Sequence, residues 1–246
     1  FNEAYNYLLK GIDPEKPITQ REVKQKKERL SDQQRTKSLQ NQIKQGVDPH
    51  CKNAIAYLIK IRHIHPQIAF EFANKKLIQQ QTNQFGSKNL VMLGYDEKGM
   101  LAAAEYKGCS TSSSARGDFK DCDYRYGWFY YPETEPSSFF PEIHWDKPCI
   151  ITEANIDRMA LMSLMLDGQL DPVEYGFDET VMALLKSRDY NYKSFNWLSI
   201  GSTSNRQTVY SLMDKFHIQN WIVATDNDES GHKCAGCIIQ EVEKRG

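Results

Sequence analysis

The sequence predicts an α/β chain: a C-terminal parallel sheet flanked by helices, preceded by a small mixed strand and helix subdomain and an N-terminal helical region. Three observations carry this. Residues 148–246 alternate short apolar runs with helical stretches, residues 89–131 shift to the period of strands, and residues 1–46 are polar with almost no turn signals between Gln20 and Gln45. The boundaries drawn from these shifts are 1–47, 48–147 and 148–246.

The N-terminal region reads as a long solvated helix, with Val23, Leu30, Leu39 and Ile43 too sparse to form a core alone. Its Arg21, Lys24, Lys26, Lys27 and Arg29 form a solvated face, or alternatively a phosphate-binding one. Asp48-Pro49 breaks this helix. Ala54, Ile55, Tyr57, Leu58 and Ile61 then recur at helical spacing, and His65-Pro66 opens a second short helix through Leu77. Leu90–Tyr95 and Leu101–Tyr106 around Asp96–Gly99 form a hairpin, and Tyr126–Tyr131 a third strand. The passage from Pro132 to Pro148 reads as a linker.

In the last domain, Cys149–Thr152 is a buried strand ending at Glu153, followed by a helix from about Asn155 to Leu166. Residues 167–193 read as an insertion with one helix, Glu179–Leu185. Phe195–Ile200 is a strand closed by Gly201-Ser202-Thr203-Ser204, a helix runs from about Asn205 to Phe216, and Trp221–Thr225 is the last strand. Parallel strands of this kind put their carboxyl ends on one rim, where ligands bind in open α/β sheets. Glu153, the Gly201 loop and the pair Asp226/Asp228 would share that rim.

Composition narrows the function classes. The 246 residues are 40% hydrophobic with a net charge of −1, and no apolar run approaches the ~20 residues of a membrane span. Starting at Phe1 without Met, the chain reads as a piece of a longer protein. The six cysteines are scattered, which suits a reducing cytoplasm rather than a disulfide framework. Cys234 and Cys237, three apart with no second pair, read as structural thiols. Cys51, His63 and His65 lack the paired spacing of a zinc module. Charge is divided: residues 1–88 hold sixteen Lys/Arg against eight Asp/Glu, and the remainder fifteen against twenty-four. A basic front and an acidic back suit a protein that meets phosphates with one part and gathers cations with another.

Asp226 and Asp228 stand two apart in an extended segment and so project side by side, two negative charges that a cation would relieve. Hard oxygen ligands of this sort suit magnesium or manganese. Helix capping accounts for Asp228 but leaves Asp226 unexplained. Glu153, and Asp157 one helical turn beyond it, are the further acidic candidates. Lys107, Arg116, Lys120 and Arg125, interleaved with aromatics, suit a nucleic-acid backbone or a triphosphate, ordinary surface charge being the alternative. Gly201 and Lys233 join these as nucleotide- or DNA-binding candidates.

These residues resemble the toprim domain of bacterial DnaG-type primases and topoisomerases. The family's E-G-x-x-D, S-x-G-T and D-x-D-x-A-G-x-x-A occur in that order, and Glu153, Asp157, Gly201, Asp226, Asp228, Gly231 and Ala235 occupy the matching places. Upstream, Tyr57–Arg62 is similar to the primase Y-L-x-x-R-G element, and Arg125-Tyr126-Gly127 resembles the basic-residue-Y-G element before toprim. The resemblance spans about residues 50–244 and is nearest to primase-like toprim proteins of plasmids and conjugative elements. Ala154 departs from it, standing where primases commonly have Gly.

The resemblance implies primer synthesis on single-stranded DNA from nucleoside triphosphates by a two-metal mechanism with Mg2+ or Mn2+. Glu153, Asp226 and Asp228 would be catalytic, Asp157 an accessory metal ligand, and a helicase or relaxase a partner, in the cytoplasm. Three rivals remain. The stretch from Ile222 to Ser230 also fits the D-x-D motif of haloacid-dehalogenase-like phosphatases, although little chain follows to supply their downstream lysine and acids. The others are a toprim nuclease or topoisomerase and a non-catalytic DNA-binding accessory protein of a mobile element.

Overall fold

The computed structural model describes residues 30–44, 47–48, 50–83, 85–112, 115–132, 147–166, 191–216, 218 and 220–245. The basic run from Arg21 to Arg29, most of the Pro132–Pro148 passage and the helix expected at Glu179–Leu185 lie outside the described residues.

The first sheet is antiparallel, with five strands in order β1 (Val47–Asp48), β2 (Ile78–Thr82), β3 (Lys88–Tyr95), β4 (Leu101–Gly108) and β5 (Arg116–Asp118). Side chains alternate along a strand, so an apolar run such as Leu90-Val91-Met92-Leu93 feeds two faces, and here both are covered. Val91 and Leu93 meet Leu39 and Ile43 of α1 (Asp32–Ile43). Leu90 and Met92 join the core containing α2 (Lys52–Lys60) and α3 (Pro66–Asn74). The sparse apolar positions of α1 are thus enough once a sheet supplies the other half of the core.

Three strands of this sheet, β1, β2 and β5, fall where the sequence was read as breaks, helix end or loop. The reason is visible at Gln80, which is fully buried in β2. Its Oε1 accepts from the backbone N–H groups of Asn53 and Ala54 at 2.7 and 3.0 Å, and its Nε2 donates to Asp48 Oδ2. A polar strand residue is capping α2, whose own N-cap residue Cys51 makes no side-chain cap. His65 caps α3 instead of serving a metal, its Nδ1 accepting from Gln67 N.

The second sheet has order β6 (Trp128–Tyr130), β8 (Asn196–Ser199), β7 (Cys149–Thr152) and β9 (Trp221–Ala224). Both β8 and β9 pair with β7 in parallel, as expected. The strand expected at Tyr126–Tyr131 is β6, but it pairs antiparallel with β8 rather than extending the first sheet. Ile150 and Trp197 face the core shared with α4 (Asn155–Leu166) and the first sheet's Leu90 and Met92. Ile151 and Leu198 face α5 (Gln207–Lys215) and α6 (Glu229–Arg245) through Val209, Leu212, Cys234 and Ile238. One core therefore runs beneath both sheets and fixes the rim of the second against the face of the first. No helix among the described residues is long and apolar enough to cross a membrane.

Candidate functional site

Glu153 follows the last residue of β7, and its backbone is pinned from two sides. The buried Ser199 donates from Oγ to the Glu153 carbonyl at 3.1 Å, and the buried Thr152 donates from Oγ1 to the Ala154 carbonyl at 3.2 Å. Past β8, Gly201 turns the chain with φ +74°, where a side chain would come within 2.7 Å of the Trp128 ring. Glycine is required at such a position by both its backbone and its surroundings. Ser202 then caps a short 3-10 turn at Thr203–Asn205.

After β9 the chain folds tightly around Asp226 and Asp228. Asp228 Oδ1 accepts from Gly231 N at 2.7 Å, so the capping role is real. Thr225 Oγ1 donates to the Gly231 carbonyl, and Thr203 Oγ1 meets Ser230 Oγ at 2.9 Å, tying this loop to the Gly201 loop. A β-carbon on Gly231 would collide with the Asp226 carbonyl. His232 Nε2 meets Asn227 Oδ1 at 2.8 Å.

The acids share one rim and feel one another. Burial pushes the Glu153 carboxyl up, and the charges of Asp226 and Asp228 push it further, against a hydrogen bond from the Thr203 backbone. Burial likewise raises Asp157; Asp226 adds to this, while the Ala154 N–H, at 3.1 Å from its Oδ2, and Arg62 oppose it. Even so, among the described residues no three His, Cys, Asp or Glu side chains are gathered closely enough to hold a metal ion. Two of the carboxylates are spending an oxygen on backbone N–H groups. The donor set nonetheless fits a hard divalent cation in its chemistry: it is oxygen-only and multiply charged.

A cleft of about 580 Å³ opens beside this rim. It brings Glu153, Asp157 and Gly201 together with Lys107 on β4 and Arg116 on β5. Lys107 and Arg116 are register partners, and among the described residues neither is held in an ion pair. The other basic candidates lie elsewhere. Arg125 is bound to Asp123 and Asp32. Lys120 meets Gln42 through its backbone, and neither it nor Lys233, exposed on α6, lines the cleft.

Three charged residues of the cleft were not singled out as site candidates from sequence: Arg62, Glu105 and Asp118. Glu105 Oε1 accepts from the buried Asn155 Nδ2 at 2.6 Å, and Asn155 Oδ1 accepts from the buried Arg158 at 2.7 Å. Arg158 also donates to the Trp128 carbonyl. Burial lifts the Glu105 carboxyl to about 7, opposed by the Asn155 hydrogen bond and reinforced by Asp118. The alternation Glu105-x-Lys107 against Arg116-x-Asp118 was the available signal. It becomes readable only once residues 116–118 are known to be a strand.

Residues 150–246 match the family described as toprim-like. Residues 56–130 match one described as a protein of unknown function, DUF3991. No curated protein matches the chain. Among solved structures, the chain is similar to the primase fragment of the bacteriophage T7 primase-helicase protein, with 15% identity and a TM-score of 0.46 over 74% of this chain and 58% of that one. It is similar to the E. coli primase catalytic core at 13% identity and TM-score 0.42, covering 84% of this chain and 63% of that one. A DnaG primase catalytic domain bound to single-stranded DNA stands at 14% identity and TM-score 0.42, with 84% and 64% covered. The chain thus spans about 58–64% of the length of these structures. The strand ends and loops carrying Glu153, Gly201, Asp226 and Asp228 all fall in the segment that matches the toprim-like family.

Proposed function

We propose that this chain is a primase-like nucleotidyltransferase, extending primers on single-stranded DNA from nucleoside triphosphates. One observation carries the reading: parallel β7 and β9 bring Glu153 and Asp226/Asp228 within electrostatic reach on one rim, beside a cleft floored by Lys107 and Arg116, which have no ion-pair partner among the described residues. Glu153, Asp226 and Asp228 would hold divalent cations, Mg2+ or Mn2+, with Asp157 as an accessory oxygen donor. Bound there, such cations supply activation of a 3′-hydroxyl and neutralisation of the leaving pyrophosphate.

The chain's own residues do the rest. Lys107 and Arg116 neutralise nucleotide or template phosphates, and Gly201 makes the tight turn that sets its loop at the edge of the cleft. Glu153, with its carboxyl raised by burial and by its acidic neighbours, is an acceptor for the hydroxyl proton. Asp228, fixed to Gly231 N by one oxygen, keeps the Asp226 loop in place while its other oxygen remains available. A cytoplasmic setting and a helicase or relaxase partner belong to the same reading.

The toprim-like match fits a DNA-cleaving enzyme as well, so the test reads both outcomes. Full-length protein is incubated with single-stranded DNA, nucleoside triphosphates and magnesium or manganese, and both primer products and nicked DNA are measured. Wild type should make primers, and Asp226→Asn and Glu153→Gln should lose more than the roughly 10- to 100-fold expected from disturbing an outer partner alone. Product persisting in both variants would show that this rim is not the catalyst. Nicking without synthesis would favour the nuclease reading.

A further inference from the structure

The floor of the cleft has a charge pattern that cation binding at the rim does not use. On β4, Glu105 and Lys107 stand two apart and share one face, while Tyr106 between them turns to the other face and packs against Phe119. Across the ladder Glu105 is the partner of Asp118, and Lys107 of Arg116. The floor is therefore two rows, one acidic and one basic, separated by two strand positions or roughly 6.5 Å. That is about the distance from a nucleotide's phosphate to the hydroxyls of its own sugar. The acidic row adjoins the rim, since Glu105 is hydrogen-bonded to Asn155, two residues beyond Glu153.

Glu105 is held as a recognition group is held. Its Oε1 is fixed by Asn155, which is itself clamped by Arg158, and both of these are buried. Among the described residues Oε2 has no hydrogen-bond partner. A carboxylate in such a position accepts from sugar hydroxyls, as acidic residues do at the ribose of bound dinucleotides.

We propose that Glu105, with Asp118 across the ladder, reads the ribose hydroxyls of the nucleotide whose 5′-phosphate lies on Lys107 and Arg116. This nucleotide is the one presenting its 3′-hydroxyl to the Glu153/Asp157 rim. The inference rests on the primase reading for the direction of the chain, and it makes the primer terminus, rather than the incoming triphosphate, the group whose sugar is selected. A site that accepts from a sugar hydroxyl favours the nucleotide that carries it over the analogue that lacks it.

The test uses the full chain and two 5′-fluorescein oligonucleotides of one sequence, one all-DNA and one ending in a single 3′-ribonucleotide. Wild type should bind the ribose-terminated probe about fivefold to tenfold more tightly, the yield of one ordinary hydrogen bond. Glu105→Ala should abolish this preference, the ratio of the two affinities falling to about one. Glu105→Gln, which keeps the shape and one neutral acceptor, should fall between, and it carries the test if the alanine variant does not fold. Equal binding of the two probes by wild type overturns the inference. So does a loss of both probes together in the variants, which would make Glu105 only the counter-charge of Arg158. Magnesium-dependent extension of the same probes is followed in parallel. Ribose preference without extension leaves the inference standing and removes the polymerase reading.

Discussion

Two groups of charges, one inside the cleft and one outside it, are handled in opposite ways. At Asp123, burial would raise the carboxyl, but hydrogen bonds from the Arg125 side chain and backbone, with the charge of Arg35, hold it below the usual range. Arg35 sits 3.0 Å from Asp123 and 2.9 Å from Asp32. The cations there are neutralised by neighbours that also fasten α1 to the loop before β6. In the cleft, Glu105, Glu153 and Asp157 are all held above their ordinary values, and Lys107 and Arg116 have no acid as an ion-pair partner among the described residues. Perturbation of this kind in a concave site marks charge left for a ligand. A shift in the other direction marks charge already spent on the fold.

The sharpest way to break this contrast is at the glycine that lets the acidic loop close. Gly231→Ala would drive a methyl group into the Asp226 carbonyl. The loop must then shift, and a displacement of about 1 Å at reacting groups can cost on the order of 10²-fold. Primer synthesis should fall by that much, with about 1–3 kcal/mol lost in thermal or denaturant unfolding. An unchanged rate would show that the spacing of Asp226 from Glu153 is unimportant.

A second test uses pH. The native Glu105 carboxyl titrates near 7 rather than 4.5, so between those values the folded protein binds this proton more tightly than the unfolded chain. Stability should fall as pH rises through that window, by up to about 3 kcal/mol from this group. Glu153 and Asp157, also raised, add decline of the same sign. Glu105→Gln should flatten the loss measured between pH 5 and pH 8 without abolishing it. A steeper decline in the variant would contradict the assigned direction.

The smallest effects separate the two sets of cations. Lys107→Ala and Arg116→Ala should each lower the salt dependence of single-stranded DNA binding, by roughly 0.7 in the log–log slope per phosphate contact. Arg125→Ala should leave that slope nearly unchanged and instead lower stability, since its charge is engaged by Asp123 and Asp32. A reversal of these outcomes would mean that the DNA path crosses the Arg125 side of the molecule.

How much of this was legible follows from where each element hides its polar groups. Strand β7 is buried on both faces and the edge strand β9 is half-buried on both, so Cys149–Thr152 and Trp221–Ala224 announce themselves as apolar runs, and Glu153, Gly201, Asp226 and Asp228 mark strand ends. Strands β1, β2 and β5 carry Asp48, Gln80, Arg116 and Asp118, whose polar side chains serve a helix end or face the cleft, and hydrophobic period could not reveal them. Arg125 has the same sequence credentials as Arg116; Asp32, 93 residues away, is part of what sets them apart.

By itself the sequence determined the order of acidic strand ends and the glycines between them, because those depend on local requirements: a buried strand, a tight turn, a helix cap. Only the tertiary structure decided which cations accompany the acids, and that Glu105 faces Asp118 beside them. Pairing across a ladder joins residues 13 apart in one register, and a one-residue slip would turn the whole face away.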